Sequence, residues 1–175
     1  MSGLSPKVSV IISTYNRAQY LGRAIQSVLS QSFEDFELIV VDDASKDTTK
    51  DVVAQFNDSR IRYIRHEENR GGPAARNTGI KNTSGVFLAF LDDDDQWCQE
   101  KLQKQVRKME SLSTRVGLVY AGSEIYNEQK KRIDCVNVPA YSGNVYKRLL
   151  LSTILGSVSS VLVRRECFTK VGMFD

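Results

Sequence analysis

Histidine occurs once, at His66, and the three cysteines, Cys98, Cys135 and Cys167, are far apart and odd in number. With no CxxC pair and no Cys/His spacing, the chain carries no zinc signature, and reduced thiols in a cytosolic protein are the expectation. Long apolar runs are missing too. The longest reach about six to eight residues, against the roughly 20 that a membrane helix needs. Nothing near Met1 resembles a charged stub followed by a cleavable apolar core, so no signal peptide is expected. These absences describe a soluble chain, cytoplasmic yet free to sit peripherally at the inner face of a membrane. An excess of one charge is also lacking: 24 Lys and Arg against 21 Asp and Glu leave a formal charge of +3. That balance gives no case for a nucleic-acid partner. The longest basic cluster, Lys130-Lys131-Arg132, reads as a solvated turn.

What is present is an alternation. The 175 residues, 41% of them hydrophobic, suit one compact domain. Val8 to Ser13, Phe36 to Val41, Ile61 to Ile64 and Val86 to Leu91 are short, β-branched or apolar runs, expected as buried strands. Between them, Tyr20, Leu21, Ala24, Ile25, Val28 and Leu29 recur at helical spacing. Ser45 and Thr48 stand where a helix carrying Val52, Val53 and Phe56 could be capped, and Pro73 suits the first turn of a third helix. Leu102, Val106, Met109 and Leu112 mark a fourth. A β-α-β-α-β-α-β order implies a mostly parallel α/β sheet covered by helices on both faces. The last third changes character. Short strands are expected at Val116 to Tyr120, Glu124 to Tyr126, Arg132 to Val136 and Val158 to Val163, with helical turns near Val145 and from Arg165. This predicts a smaller mixed or antiparallel C-terminal part. The abrupt ending after Val171-Gly172-Met173-Phe174 reads as a chain cut inside a larger domain.

In such sheets ligands bind beyond the carboxyl ends of the strands, and three strands end in polar residues. Asp92-Asp93-Asp94-Asp95 crowds four carboxylates before Trp97. A hard divalent ion relieves that repulsion and bridges to phosphate; a solvated acidic helix start is the alternative. Asp42-Asp43 closes the second strand, where one acid could cap a helix and the other accept from a base or ribose edge. Tyr15 could stack on a flat base and Arg17 face phosphate, or both could be ordinary loop residues. Asn69 to Asn77 approaches a helix start through Gly71-Gly72-Pro73. Free amides there attract phosphate, and Arg76 on the first turn would add a bidentate contact.

Taken in order, VSVIISTYNRAQYLGRAIQSVLSQSFEDFELIVVDDASKDTT, NRGGPAARNTGIKNTSG and VFLAFLDDDDQW resemble glycosyltransferase family 2, densely over residues 7 to about 112 and more loosely over SSVLVRRECFTKVGMFD. The resemblance implies a GT-A, Rossmann-like fold over residues 1–175, with 1–112 as the nucleotide-sugar half and 113–175 as the start of an acceptor-side half. It implies a nucleotide-diphosphate sugar donor, with uracil the favoured base and thymine or guanine left open. Tyr15 would stack on the base, with Ser13 or Thr14 lining the same pocket. Asp43 would read the base, Asp42 and Arg17 would stand nearby, and Arg76 would meet the diphosphate. Asp94 would be the main ligand of Mn²⁺ or Mg²⁺, with Asp92 and Asp93 near the ribose and metal waters, and Asp92 a second ligand. The implied reaction is transfer with inversion to a saccharide or lipid-linked acceptor in envelope polysaccharide assembly. Its general base is expected beyond Asp175, and Asp175 itself is not the candidate. The competing readings are a donor-binding module without catalysis, a phosphoryl-receiver domain and a sugar-nucleotide pyrophosphorylase. The last two fit poorly: the receiver gives Tyr15 and the glycine pair no role, and the pyrophosphorylase needs a glycine-rich loop where STYNRAQY stands.

Overall fold

The computed structural model describes residues 5–152 and 154–175. Four parallel strands form its centre: β1 (Val8–Thr14), β2 (Phe36–Asp42), β3 (Ile61–Arg65) and β4 (Phe87–Asp92). Helices α1 (Ala18–Leu29), α2 (Thr49–Ala54) and α3 (Gly72–Lys81) connect them, and α4 (Lys101–Ser111) follows β4. Two late strands extend the sheet, β5 (Leu118–Tyr120) and β8 (Val161–Arg164), to give the order β3-β2-β1-β4-β8-β5. β8 runs antiparallel to both β4 and β5. A separate hairpin pairs β6 (Ser123–Asn127) with β7 (Arg132–Asn137). Short helices α5 (Tyr146–Leu149) and α6 (Arg165–Val171) complete the chain.

Alternation along the strands sends side chains into two cores. Val8, Val10, Ile12, Leu38, Val40, Ala89 and Leu91 pack against α1, α2 and α4, whose apolar stripes include Leu21, Ile25, Val53, Leu102 and Met109. Ile11, Leu88 and Phe90 point the other way, towards Ile80 of α3 and Phe168 of α6, while Ile39 and Val41 meet Ala75. Helices therefore cover both faces.

The chain lays β2 and β3 on one side of β1, then crosses back to place β4 on the other. That reversal is a topological switch point, and the crevice at the carboxyl ends of β1 and β4 is where such sheets bind ligands. Register puts Thr14 beside Asp42 and Ser13 beside Asp92 at that edge.

Two expectations change. The expected strand from Val158 to Val163 begins as a 3-10 turn at Val158–Ser160, because the Ser157 hydroxyl accepts from Ser159 N and the Ser157 carbonyl from Ser160 N. Neither Ser45 nor Thr48 caps α2. Asp47 does the local work, its Oδ1 accepting from Thr49 N at 3.1 Å, and Ser45 is turned to another loop.

Trp97 ties the acidic loop to the sheet, its Nε1 donating to Ser159 O at 2.8 Å. The Lys101 ammonium lies 3.9 Å from the Trp97 ring centroid and donates to Gln105 Oε1 at 2.8 Å, and burial pushes it down to about 7. An unfolded chain keeps that proton to a pH of about 10, so folding expels it between about pH 7 and 10 and stability rises through that window. Lys101→Met should raise the melting temperature at pH 7 and below, and should flatten the rise between pH 7 and 10 relative to wild type. Parallel melting-temperature profiles for the two proteins would reveal a misassigned ammonium.

Candidate functional site

The site grows from three loops at the carboxyl edge. The β1–α1 loop contains Tyr15, Asn16 and Arg17, with Asn16 in the left-handed region at φ 54°. The β2–α2 loop contains Ala44, also left-handed at φ 67°. These loops are stitched together. Asn16 N donates to Ser45 Oγ at 2.9 Å, Lys46 N to Asn16 Oδ1 at 2.7 Å, and Ala18 N to Asp47 Oδ2 at 3.0 Å. The third loop, after β3, leads into α3 through Gly71 at φ 86°, a conformation open to glycine at little cost.

Asp43 is the joint between the last two. Its Oδ1 accepts from Arg70 N at 2.9 Å and its Oδ2 from Gly71 N at 2.7 Å, while His66 Nδ1 lies 2.6 Å from Oδ1. His66 in turn reaches Thr78 Oγ1 on α3 at 2.9 Å through Nε2. Most of the roughly four acceptor positions of a carboxylate are thus occupied, and one buried aspartate fixes the approach to α3. Asp42 behaves differently from its neighbour. Only 1% exposed, it accepts from Ser45 N at 2.8 Å and from the Tyr63 hydroxyl, and lies 3.5 Å from Arg65 Nε. Its carboxylate is turned into the protein and supports the loop from beneath.

A small cleft of about 90 Å³ is lined by Ser13, Thr14, Tyr15, Asp43, Gly72 and Ala75. Tyr15 presents an exposed ring at its rim, 43% accessible. Thr14 Oγ1 is buried beside the Asp93 carboxyl, whose charged form it favours, and makes no other hydrogen bond among the described residues.

The four consecutive aspartates part company. Asp92 Oδ1 pairs with Arg76 Nη2 at 2.8 Å, and its backbone N–H donates to Ser159 Oγ at 3.0 Å. Arg76 is the fifth residue of α3, hence on the second turn rather than the first. Asp94 pairs with Arg17, whose Nη1 is also 3.4 Å from Asp93 Oδ1. The Asp93 carboxyl is pushed up, first by burial and then by Asp94; the Thr14 hydroxyl and Arg17 oppose that rise. Burial raises Asp95 as well, beside the Ser157 hydroxyl at 3.5 Å.

Among the described residues no three acidic, histidine or cysteine side chains converge as a metal cage. Asp94 and Asp92 are nevertheless partly exposed on one edge. That arrangement fits an ion held by one or two carboxylates and completed by phosphate oxygens, the usual habit of Mg²⁺.

The residues singled out in the sequence therefore sit on one edge: Ser13, Thr14, Tyr15 and Asp43 in the cleft, Arg17 with Asp93 and Asp94, Arg76 with Asp92. Asp42 alone points away. Sequence reasoning missed His66, Ser159 and the Asn16–Ser45 stitch. Gly72 and Ala75 lay inside the highlighted segment, but nothing in their spacing said that they line a cleft.

The sequence profile described as Glycosyl transferase family 2 matches residues 9–172. The Escherichia coli protein WfgD, a UDP-Glc:alpha-D-GlcNAc-diphosphoundecaprenol beta-1,3-glucosyltransferase, is 38% identical over 90% of this chain and 60% of its own length. The putative teichuronic acid biosynthesis glycosyltransferase TuaG of Bacillus subtilis is 35% identical over 95% of this chain and 65% of its own length. An uncharacterized glycosyltransferase of Rickettsia prowazekii is 33% identical over 98% of this chain, and 54% of that protein is covered. The chain thus spans about half to two thirds of the length of these relatives. Among solved structures, Staphylococcus aureus TarS 1–349 in complex with UDP superimposes with a TM-score of 0.73 at 25% identity, over 96% of this chain and 49% of that one. A mannosyltransferase from Pyrobaculum calidifontis, solved with GDP-Man and Mn²⁺, gives a TM-score of 0.73 at 21% identity, over 98% of this chain and 48% of its own, and speaks to the fold alone. The fold is the GT-A fold.

Ala44 offers a test of the loop geometry. A left-handed alanine costs roughly 1–2 kcal/mol that glycine avoids, offset in part by the greater freedom of glycine when unfolded. Ala44→Gly should stabilise the protein by about 1 kcal/mol in urea unfolding, whereas destabilisation would show that the loop does not hold this conformation.

Proposed function

Because the chain belongs to glycosyltransferase family 2, we propose that the carboxyl edge of its sheet binds the nucleotide diphosphate of a sugar donor, a UDP-sugar by preference, together with Mn²⁺ or Mg²⁺. The intact enzyme then transfers the sugar with inversion to a saccharide or lipid-linked acceptor. The observation that carries this reading is the convergence, at one switch point, of a cleft rimmed by Tyr15 and two arginine–carboxylate pairs. UDP bound to TarS and the UDP-Glc donor and diphosphoundecaprenol-linked acceptor in the name of WfgD support the donor and acceptor classes.

In this reading Tyr15 stacks on the base, and Thr14 and Ser13 line its edge. Asp43, whose Oδ2 accepts from both Arg70 N and Gly71 N, keeps the loop in shape at the wall of the base pocket. Arg76 faces the diphosphate from α3, helped by the positive end of that helix. Asp94 and Asp92 would hold the ion, which neutralises charge on the leaving diphosphate. Asp93, buried against Thr14, orders the turn between them. The general base is assigned to none of the described residues. Envelope polysaccharide assembly at the inner face of the plasma membrane is the proposed setting; among the described residues no helix is long and apolar enough to cross a membrane.

Calorimetric titration of UDP, with and without Mn²⁺, into wild type and Asp94→Ala is the direct test. The expected result is binding that needs both the metal and Asp94, weakened at least about tenfold when either is removed. Failure of UDP, GDP and dTDP alike to bind under either condition would remove the donor-site reading and leave the fold.

A further inference from the structure

Arg17 occupies an unusual position. Its backbone carbonyl accepts from Tyr20 N and Leu21 N, so the root of the side chain is fixed by the start of α1. Its guanidinium is about half exposed and reaches across the edge to Asp94 and, at 3.4 Å, to Asp93. A cation of this protein thus stands on the carboxylate assigned above to the metal. Arg76 is held differently: its side chain is 22% exposed, it bonds Asp92 at 2.8 Å, and it lies over the Phe174 ring at 5.9 Å. Of the two arginines, Arg17 is the one free to exchange partners.

We propose that Arg17 is a displaceable counter-cation. It neutralises Asp94 while the site is empty, opposes a divalent ion arriving alone, and transfers to a phosphate oxygen of the donor when metal and nucleotide arrive together. The inference rests on the donor-site reading. Like charges exclude one another, so ion and guanidinium compete for Asp94; an exposed pair is weak enough to exchange. A guanidinium freed beside a diphosphate gains a stronger, forked partner. Metal and nucleotide then bind cooperatively, and each raises the affinity for the other by the same factor.

The test uses Arg17→Gln, which keeps the backbone contacts that start α1. Arg23→Gln serves as the control, removing one positive charge from an exposed pair with Glu128 elsewhere. Free Mn²⁺ is followed by electron paramagnetic resonance without nucleotide, and UDP binding by calorimetry at saturating Mn²⁺; thermal melts confirm that both variants fold. Arg17→Gln should bind Mn²⁺ alone about fivefold more tightly and UDP about tenfold more weakly, while Arg23→Gln matches wild type. Any pattern for Arg17→Gln other than these opposite shifts overturns the counter-cation role, as does the same pattern in Arg23→Gln. Absence of Mn²⁺-dependent UDP binding in wild type instead contradicts the donor-site reading, and the inference falls with it.

Discussion

Five aspartates, Asp42, Asp43 and Asp92 to Asp94, crowd the carboxyl edge of β2 and β4, and the arrangement of that edge follows from how each is neutralised. Asp42 is answered by a tyrosine hydroxyl, a backbone amide and Arg65. Asp43 is answered by two amides and the only histidine. Asp92 takes Arg76, while Asp93 and Asp94 share Arg17. Asp42 and Asp43 are buried and satisfied chiefly by donors fixed in the fold, whereas the exposed Asp94 is satisfied by a long side chain that can leave. The difference divides the cluster into scaffold and site. Unpaired charge is costly to bury, so Asp42 and Asp43 must be solved permanently; solvent lets Asp94 be solved provisionally.

The inner solution has a structural consequence. Asp43 holds Arg70 N and Gly71 N, so the start of α3 is set from β2, one strand removed from the cleft it lines. Asn16, Ser45, Lys46 and Asp47 stitch the other two loops to each other. Three loops from three strands are therefore tied to one another by hydrogen bonds, with the Tyr15 ring at the cleft rim and Arg76 on α3. Preorganisation of this kind lowers the ordering cost of binding.

Much of this architecture was legible in the sequence because burial imposes composition. A strand covered on both faces is mostly apolar, and VSVIIS, FELIVV and VFLAFL announce β1, β2 and β4 within a residue or two. Polar residues interrupting those runs at their ends marked the edge, and the glycine pair marked the turn into α3. What could not be read was direction and partnership. Nothing in VLVR says that β8 runs antiparallel beside β4, since local pattern carries burial and not orientation. Asp42 and Asp43 are adjacent and chemically identical, yet one faces inward and one lines the cleft; strand alternation assigns opposite faces without saying which face holds the ligand. The roles of His66 and Ser159 are long-range, resting on contacts 23 and 67 residues away.

The proposed metal–nucleotide complex lies at the carboxyl ends of β1 and β4. Paramagnetic broadening of backbone amide resonances by Mn²⁺ in the presence of UDP tests it most directly. The strongest broadening should fall on Asp92 to Asp94, with Thr14, Tyr15, Arg17, Gly71 and Gly72 next, while β3, β6 and β7 stay sharp. Broadening centred elsewhere, or spread evenly over the surface acids, would contradict it.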